Sequence, residues 1–205
     1  SKSTDLTALT LLFPPQDGLD KWVALFTGWI PLDDIEARER ADHAPYRDWI
    51  RAGFIRGCPG DVIDYEDVID TIMQAVETYD LRIIGFDPWL STTITQRLAS
   101  LIAGAGKSTQ IVEIPQGMKI ISPPMKEMEH LIRTHEMLHV HNTAARQCFA
   151  NVRCDTDSNE NIHPNKKRSR GRIDITVSWI IAFATSKLEP KPTLADAVAS
   201  GAWKL

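Results

Sequence analysis

Arg82-Ile83-Ile84-Gly85-Phe86-Asp87-Pro88-Trp89 sets a short apolar run directly before an acid and a proline. A run of this kind reads as a strand buried in a parallel sheet, and Pro88, which lacks an N–H, stops the ladder from continuing. Upstream, Asp64 to Tyr79 carries Val68, Ile72, Ala75, Val76 and Tyr79 on one stripe, the pattern of an amphipathic helix. Downstream, Thr93 to Ile102 repeats Ile94, Leu98, Leu101 and Ile102 at helical spacing, and Gln110 to Ile114 then reads as a strand. Farther out, Leu6 to Phe13 and Trp22 to Ile30 are strand-like runs separated by the turn chemistry of Pro14 to Asp20, which together predict a hairpin. Asp33 to Arg51 is charged and helix-favouring but interrupted by Pro45, and Cys58 to Asp61 is a turn. A helix is predicted over Met125 to Met137, an extended segment over Leu138 to Asn142, loop over Asp155 to Lys167, and a buried, almost wholly apolar helix over Asp174 to Lys187. A hairpin followed by alternating helices and strands predicts an α/β fold, a mixed sheet with flanking helices. Reactive groups in such sheets gather at the carboxyl ends of parallel strands, and Asp87 occupies that place.

Two motifs look catalytic and are read otherwise. Gly104-Ala105-Gly106-Lys107-Ser108-Thr109 resembles a phosphate-binding loop, but the first glycine of G-x-x-x-x-G-K-[ST] falls on Leu101. The predicted order is also helix then strand, the reverse of the strand-to-helix passage that cradles phosphate. A helix C-cap and turn is the better reading, and no nucleotide site is expected. His135-Glu136-Met137-Leu138-His139 fits H-E-x-x-H, which in a zinc hydrolase needs both histidines on one helix face. Here the predicted helix gives way to extended chain inside the motif, and the position six beyond His139 is Ala145 rather than a third ligand.

The 205 residues suit one domain of substantial core, Ser1 to Leu188, followed by a Pro- and Ala-rich tail from 189 to 205. With 43% hydrophobic and 24% charged residues and a net charge of −4, no overall basic field points to nucleic acid. The distribution is more telling, because Lys166-Lys167-Arg168-Ser169-Arg170-Gly171-Arg172 places five basic residues in seven positions. Cys58, Cys148 and Cys154 are odd in number and form no CxxC, so neither a disulfide framework nor a zinc knuckle is indicated. A reducing cytoplasm is the expected compartment. No signal peptide and no apolar run near 18 residues is present, and the absence of an initiator Met reads as a cut inside a larger protein.

Asp87 and Asp174 are the carboxylates placed for chemistry. Each has a purely structural alternative as a helix cap, worth roughly 1 kcal/mol. The basic run just before Asp174 favours chemistry, since a phosphodiesterase pairs metal-holding carboxylates with Lys and Arg that hold the DNA backbone.

SKSTDLTALTLLFP, RGCPGDVIDYEDVIDTI, IIGFDPW and KKRSRGRIDITVSWIIAF, in that order, resemble the C-terminal nuclease domain of the large terminase subunit of tailed bacteriophages over nearly all of Ser1 to Leu188. The resemblance implies a ribonuclease H/RuvC-like fold and a two-metal endonuclease, using Mg²⁺ or Mn²⁺, that cuts concatemeric viral DNA when packaging begins and ends. It implies Asp87 and Asp174 as metal ligands, with Asp5 near the metals. It implies Lys166, Lys167, Arg168, Arg170 and Arg172 as DNA-backbone contacts. A solvated loop is the plain alternative for the basic residues, and Arg172 could instead pair with a carboxylate and orient it.

The implied partners are double-stranded viral DNA, the terminase small subunit, the portal of the procapsid, and an ATPase domain of the same polypeptide. The implied location is the bacterial host cytoplasm, transiently at the procapsid, with no membrane. In one respect the chain departs from the family. Ser1 matches the Ser of an Asp-x-Ser motif, so the family's first ligand and the central first strand are expected upstream of residue 1, and without them residues 1–205 would cut weakly. Competing functions are another ribonuclease H-like nuclease of resolvase or transposase type, a non-catalytic DNA-docking module, and a zinc hydrolase built on HEMLH.

Overall fold

The computed structural model describes residues 5–88 and 92–188. Ser1, Trp89 and the tail at 189–205 therefore lie outside the described residues.

The predicted hairpin forms: β1 (Thr7–Phe13) lies antiparallel to β2 (Trp22–Pro31), with Thr7 opposite Trp29 and Phe13 opposite Val23. The far edge of β2 is shared by two short parallel strands, β3 (Arg56–Cys58) at its end and β6 (Met137–His139) at its beginning. Between β2 and β3, Pro45 splits the charged segment into α1 (Ile35–Asp42) and α2 (Tyr46–Arg51). The amphipathic helix is α3 (Tyr65–Thr78), capped by Asp64, whose side chain accepts from the Glu66 N–H. Next come β4 (Ile83–Phe86), α4 (Thr92–Gly104) and β5 (Gln110–Glu113), with β4 and β5 parallel, as a second two-stranded sheet. α5 (Met118–Arg133), α6 (Thr143–Asn151), a hairpin of β7 (Cys154–Thr156) and β8 (Ile162–Pro164), and α7 (Asp174–Ser186) complete the order.

α7 unites the two sheets, packing on β1, β2 and β4 as well as on α5 and α6. Its apolar composition follows from that position. Ile175, Trp179, Ile180 and Phe183 are all buried, and Trp22 and Phe26 meet Phe183 and Trp179 edge-on from the sheet. Gly85 in β4 is required by close approach, because a Cβ there would collide with the Thr185 hydroxyl of α7.

Four expectations need correction. α5 starts at Met118 rather than Met125, and carries Pro123 and Pro124 inside it. The carbonyls that the prolines leave without N–H partners belong to Lys119 and Ile120, both exposed residues. The helix also stops at Arg133 rather than Met137, because His135 takes a left-handed φ of 62°. The segment read as loop from Asp155 contains the β7–β8 hairpin. Finally, β4 is only half-buried, unlike an interior strand, because among the described residues it has a single sheet neighbour.

β1 and β4 each present an edge with no strand partner among the described residues. The two edges line one cavity of about 260 Å³, bounded also by α7 and by apolar residues of α3 and α4 such as Ile72 and Leu98. Thr7 Oγ1, on that lining, is buried with no hydrogen-bond partner among the described residues.

Candidate active site

Asp87, Lys166 and Asp174 line the same cavity, and Asp5, two residues before β1, lies near enough for its charge to act on Lys166 and Asp174. Asp174 is the first residue of α7 and is 9% exposed. It does not cap the helix, since Ile173 holds the cap position without a side-chain cap bond. Instead Asp174 Oδ1 accepts from Lys166 Nζ at 2.6 Å.

The loop that delivers Lys166 is folded around Asn165. Asn165 Oδ1 accepts the N–H groups of Lys167 (2.8 Å) and Arg168 (3.2 Å), and its amide donates to Asp155 at 2.6 Å. Ser169 Oγ donates to the Asn165 carbonyl at 2.7 Å. This turn brings the Lys166 ammonium onto Asp174, although the Lys166 side chain stays 56% exposed, and Lys167 and Arg170 are exposed as well.

The electrostatics are those of an acidic cluster facing two cations, Lys166 and Arg172. Burial pulls the Lys166 ammonium down, but Asp174, Asp5 and Asp87 together outweigh it, so its pKa is raised. The Asp174 carboxyl is raised because burial, with Asp5 adding to it, exceeds the opposing attraction of Lys166. Its native state therefore holds a proton more tightly than the unfolded chain does. The stability this gives is lost as pH climbs from the ordinary carboxylate range through the raised native value, and above that the charged form is a net cost. Asp174→Asn is accordingly expected to melt at the same temperature as the parent or higher at neutral pH, with the gain vanishing in acid. Thermal melts across pH check this; a lower melting temperature at neutral pH would mean that Lys166 outweighs burial.

Asp5 Oδ1 accepts the Leu6 N–H at 3.0 Å and also pairs with the Arg172 guanidinium. Arg172 Nε donates to Asp42 Oδ2 at 2.9 Å. Of the five basic residues in the run, three are thus bound to carboxylates: Lys166 to Asp174, Arg168 to Asp155 (2.8 Å), and Arg172 to Asp5 and Asp42. Asp42 and Asp155 were not anticipated. Asp42 sits in a charged helical segment whose sequence gives no sign that its end returns to the site.

The cluster fits a divalent cation in part. Carboxylate oxygens are the donor set for Mg²⁺ or Mn²⁺, and the Lys166 ammonium is a stand-in cation among Asp5, Asp87 and Asp174. Among the described residues, no three His, Cys, Asp or Glu side chains by themselves form a complete metal-holding group. The histidines do not compensate: His135 lies in a left-handed turn and His139 ends β6, so HEMLH straddles a turn and a strand rather than sharing one helix face. The zinc-hydrolase reading fails on that geometry. At GAGKST the chain passes from α4 through a turn, with Gly106 at φ 66°, into β5, the reverse of a phosphate loop.

Comparisons with known proteins agree on one family. The model of the terminase large subunit endonuclease domain matches residues 1–189. The chain is 29% identical over 189 residues to the terminase large subunit of Enterobacteria phage HK97, covering 92% of this chain and 36% of that protein. It is 25% identical over 179 residues to Protein YmfN of Escherichia coli (strain K12), covering 84% of this chain and 38% of that protein. The crystal structure of the HK97 bacteriophage large terminase superposes with a TM-score of 0.76 at 28% identity, over 89% of this chain and 37% of that one. The chain therefore spans little more than a third of the length of the relatives it matches.

Proposed function

The chain belongs to the family of terminase large subunit endonuclease domains, and from that premise we propose that it is a divalent-metal-dependent endodeoxyribonuclease, the cutting domain of a viral DNA-packaging motor. One observation supports this above all: Asp87 and Asp174 line one cavity between β1 and β4 together with Lys166, which donates to Asp174 at 2.6 Å and also feels the charges of Asp5 and Asp87. Family membership also displaces the resolvase and transposase readings.

Asp87 and Asp174 would hold the metal, with Asp5 beside them. Bound Mg²⁺ or Mn²⁺ supplies an attacking water of lowered pKa and charge stabilisation for the leaving 3′ oxygen. Burial of Asp174 at the start of α7 holds its carboxylate in place, and the Asn165-centred turn sets Lys166 against it. Exposed Lys167 and Arg170 would grip DNA phosphates and position the duplex without reading bases. A strand preceding residue 1 would fill the cavity, pair β1 with β4, and bring the further carboxylate that the cluster lacks. The partners are those of a packaging motor: duplex viral DNA, the small subunit, the portal and an ATPase domain of the same polypeptide, in the host cytoplasm. No helix among the described residues is long and apolar enough to cross a membrane.

Plasmid relaxation by the full-length protein tests the reading. Cutting is expected with Mn²⁺ or Mg²⁺, to stop on chelation and to return when the metal is restored. Binding without cutting under every divalent ion would leave a DNA-docking module. Lys167→Ala with Arg170→Ala should weaken DNA binding for all sequences alike. It should also reduce the slope of log K against log salt by about 0.9 for each phosphate no longer gripped. An unchanged slope would make this loop a merely solvated one.

A further inference from the structure

The acids at the ends of β4 and α7 carry the proposed chemistry, yet the most heavily bonded charge near the site is Arg172, and it is tied to a part of the fold with no evident share in that chemistry. Tyr46, the first residue of α2, is completely buried, and its hydroxyl donates to Asp42 Oδ2 at 2.8 Å. Asp42, the last residue of α1, accepts the Arg172 Nε–H on that same oxygen at 2.9 Å. The other end of the guanidinium pairs with Asp5. The backbone is fixed as firmly as the side chain: Asn151 Nδ2 donates to the Arg172 carbonyl at 3.1 Å. Gly171 passes so close that an added Cβ would lie 2.8 Å from Asn151 Nδ2 and 3.1 Å from the Asp42 carbonyl. Burial and the Asp42 charge hold the Tyr46 phenol proton far above its ordinary value, so this donor persists at every working pH.

We propose that Asp42 and Tyr46 are positioning residues for the nuclease site: they lock the Arg172 guanidinium so that it fixes Asp5 beside Asp174. The inference rests on the nuclease reading above and adds to it a specific relay from the α1–α2 junction. The physical case is one of geometry. A guanidinium is a rigid planar fork, so an acceptor on its Nε edge determines where its Nη groups point. Asp42 is that acceptor, and Tyr46 keeps it from rotating away. Both bonds to Asp5, from Leu6 and from Arg172, fall on Oδ1. Oδ2 is therefore the oxygen that these two bonds leave open. Arg172 on this reading is no DNA contact.

The relay is tested in the full-length protein by Mn²⁺ titration calorimetry, with plasmid cleavage beside it. Partners behind a metal ligand typically change metal affinity or activity by about 10–100-fold when removed. Tyr46→Phe, which deletes one hydroxyl and keeps the packed ring, should weaken Mn²⁺ binding about tenfold and lower kcat, leaving KM for DNA unchanged. Asp42→Asn should do more, Asp42→Glu should recover part of the loss, and Arg172→Lys, which keeps the charge but not the fork, should behave like Asp42→Asn. Parental Mn²⁺ affinity and kcat in both Tyr46→Phe and Asp42→Asn would overturn the proposal, as would a loss confined to melting temperature. Asp87→Asn separates this from the parent reading. If Asp87→Asn cuts normally, the assignment of Asp87 to the nuclease site falls. If it is inactive while Tyr46→Phe equals the parent, only the relay falls. A parent protein that binds no Mn²⁺ would end both.

Discussion

Asp87→Asn and Asp174→Asn should each reduce Mn²⁺-dependent plasmid cleavage by more than about a hundredfold in the full-length protein. The bound follows from scale: removing a partner that only orients a metal ligand costs about 10–100-fold, so removing a ligand costs more. Folding should survive both changes, because Asn matches Asp in size. At Asp174 the change also discharges a buried carboxylate whose charge is a net cost to the native state. The two variants should differ in stability for that reason. Asp87 is only half-buried at the end of a half-buried strand, and its neutralisation should leave the melting temperature nearly unmoved. Cleavage at parental rates by either variant, measured as supercoiled plasmid consumed per minute, would remove that residue from the site.

The second large effect concerns the cavity between β1 and β4. A chain extended upstream so that a strand enters there should be more stable than residues 1–205 alone, and should cut where these residues alone cut poorly. Unpaired strand edges invite association with other chains. An inserted strand offers both edges hydrogen bonds worth about 0.5–1.5 kcal/mol each. It also buries apolar side chains worth roughly 1.5–3 kcal/mol apiece. Against these stands an ordering cost of about 1–2 kcal/mol per residue. A net gain of only a few kcal/mol would raise the melting temperature of a domain this size by roughly 10 °C. If that extension carries the expected Asp-x-Ser acid, replacing it by Ala should keep the added stability and lose the cleavage, which separates the strand's packing from its chemistry. Equal melting temperatures and equal rates with and without the extension would mean that the cavity is not a strand site. Asp5 would then be the acid that completes the cluster.

Much of the fold was legible because the elements are strongly patterned. The stripe of α3, the uninterrupted apolar run of α7 and the two halves of the β1–β2 hairpin each record, in residue spacing, the face that must leave water. Asp87 and Asp174 were legible for a related reason, since an acid at the junction of an apolar element with its successor is conspicuous wherever the rest folds. The errors fell where local chemistry and context disagree. The helix predicted from Met125 begins seven residues earlier, and α5 runs through Pro123 and Pro124. β3 and the β7–β8 strands are three residues each, too short to show any period, and exist only because a neighbour supplies hydrogen bonds.

Residue order along the chain was enough to mark the long helices and strands, to show that the GAGKST turn joins a helix to a strand, and to pick out the two acids at element ends. Those properties are local, set by spacing, turn chemistry and the missing N–H of proline. What the charges do emerges only when the chain is folded. A run of five basic residues looks uniform in the sequence, but folding divides it. Lys166 is turned onto buried Asp174, Arg168 goes to Asp155, and Arg172 is stretched between Asp5 and Asp42, while Lys167 and Arg170 stay in solvent. The reason is that a charge near a buried carboxylate is bound by partners whose distance in space bears no relation to their distance in sequence. Asp42 and Arg172 are 130 residues apart and share a hydrogen bond of 2.9 Å.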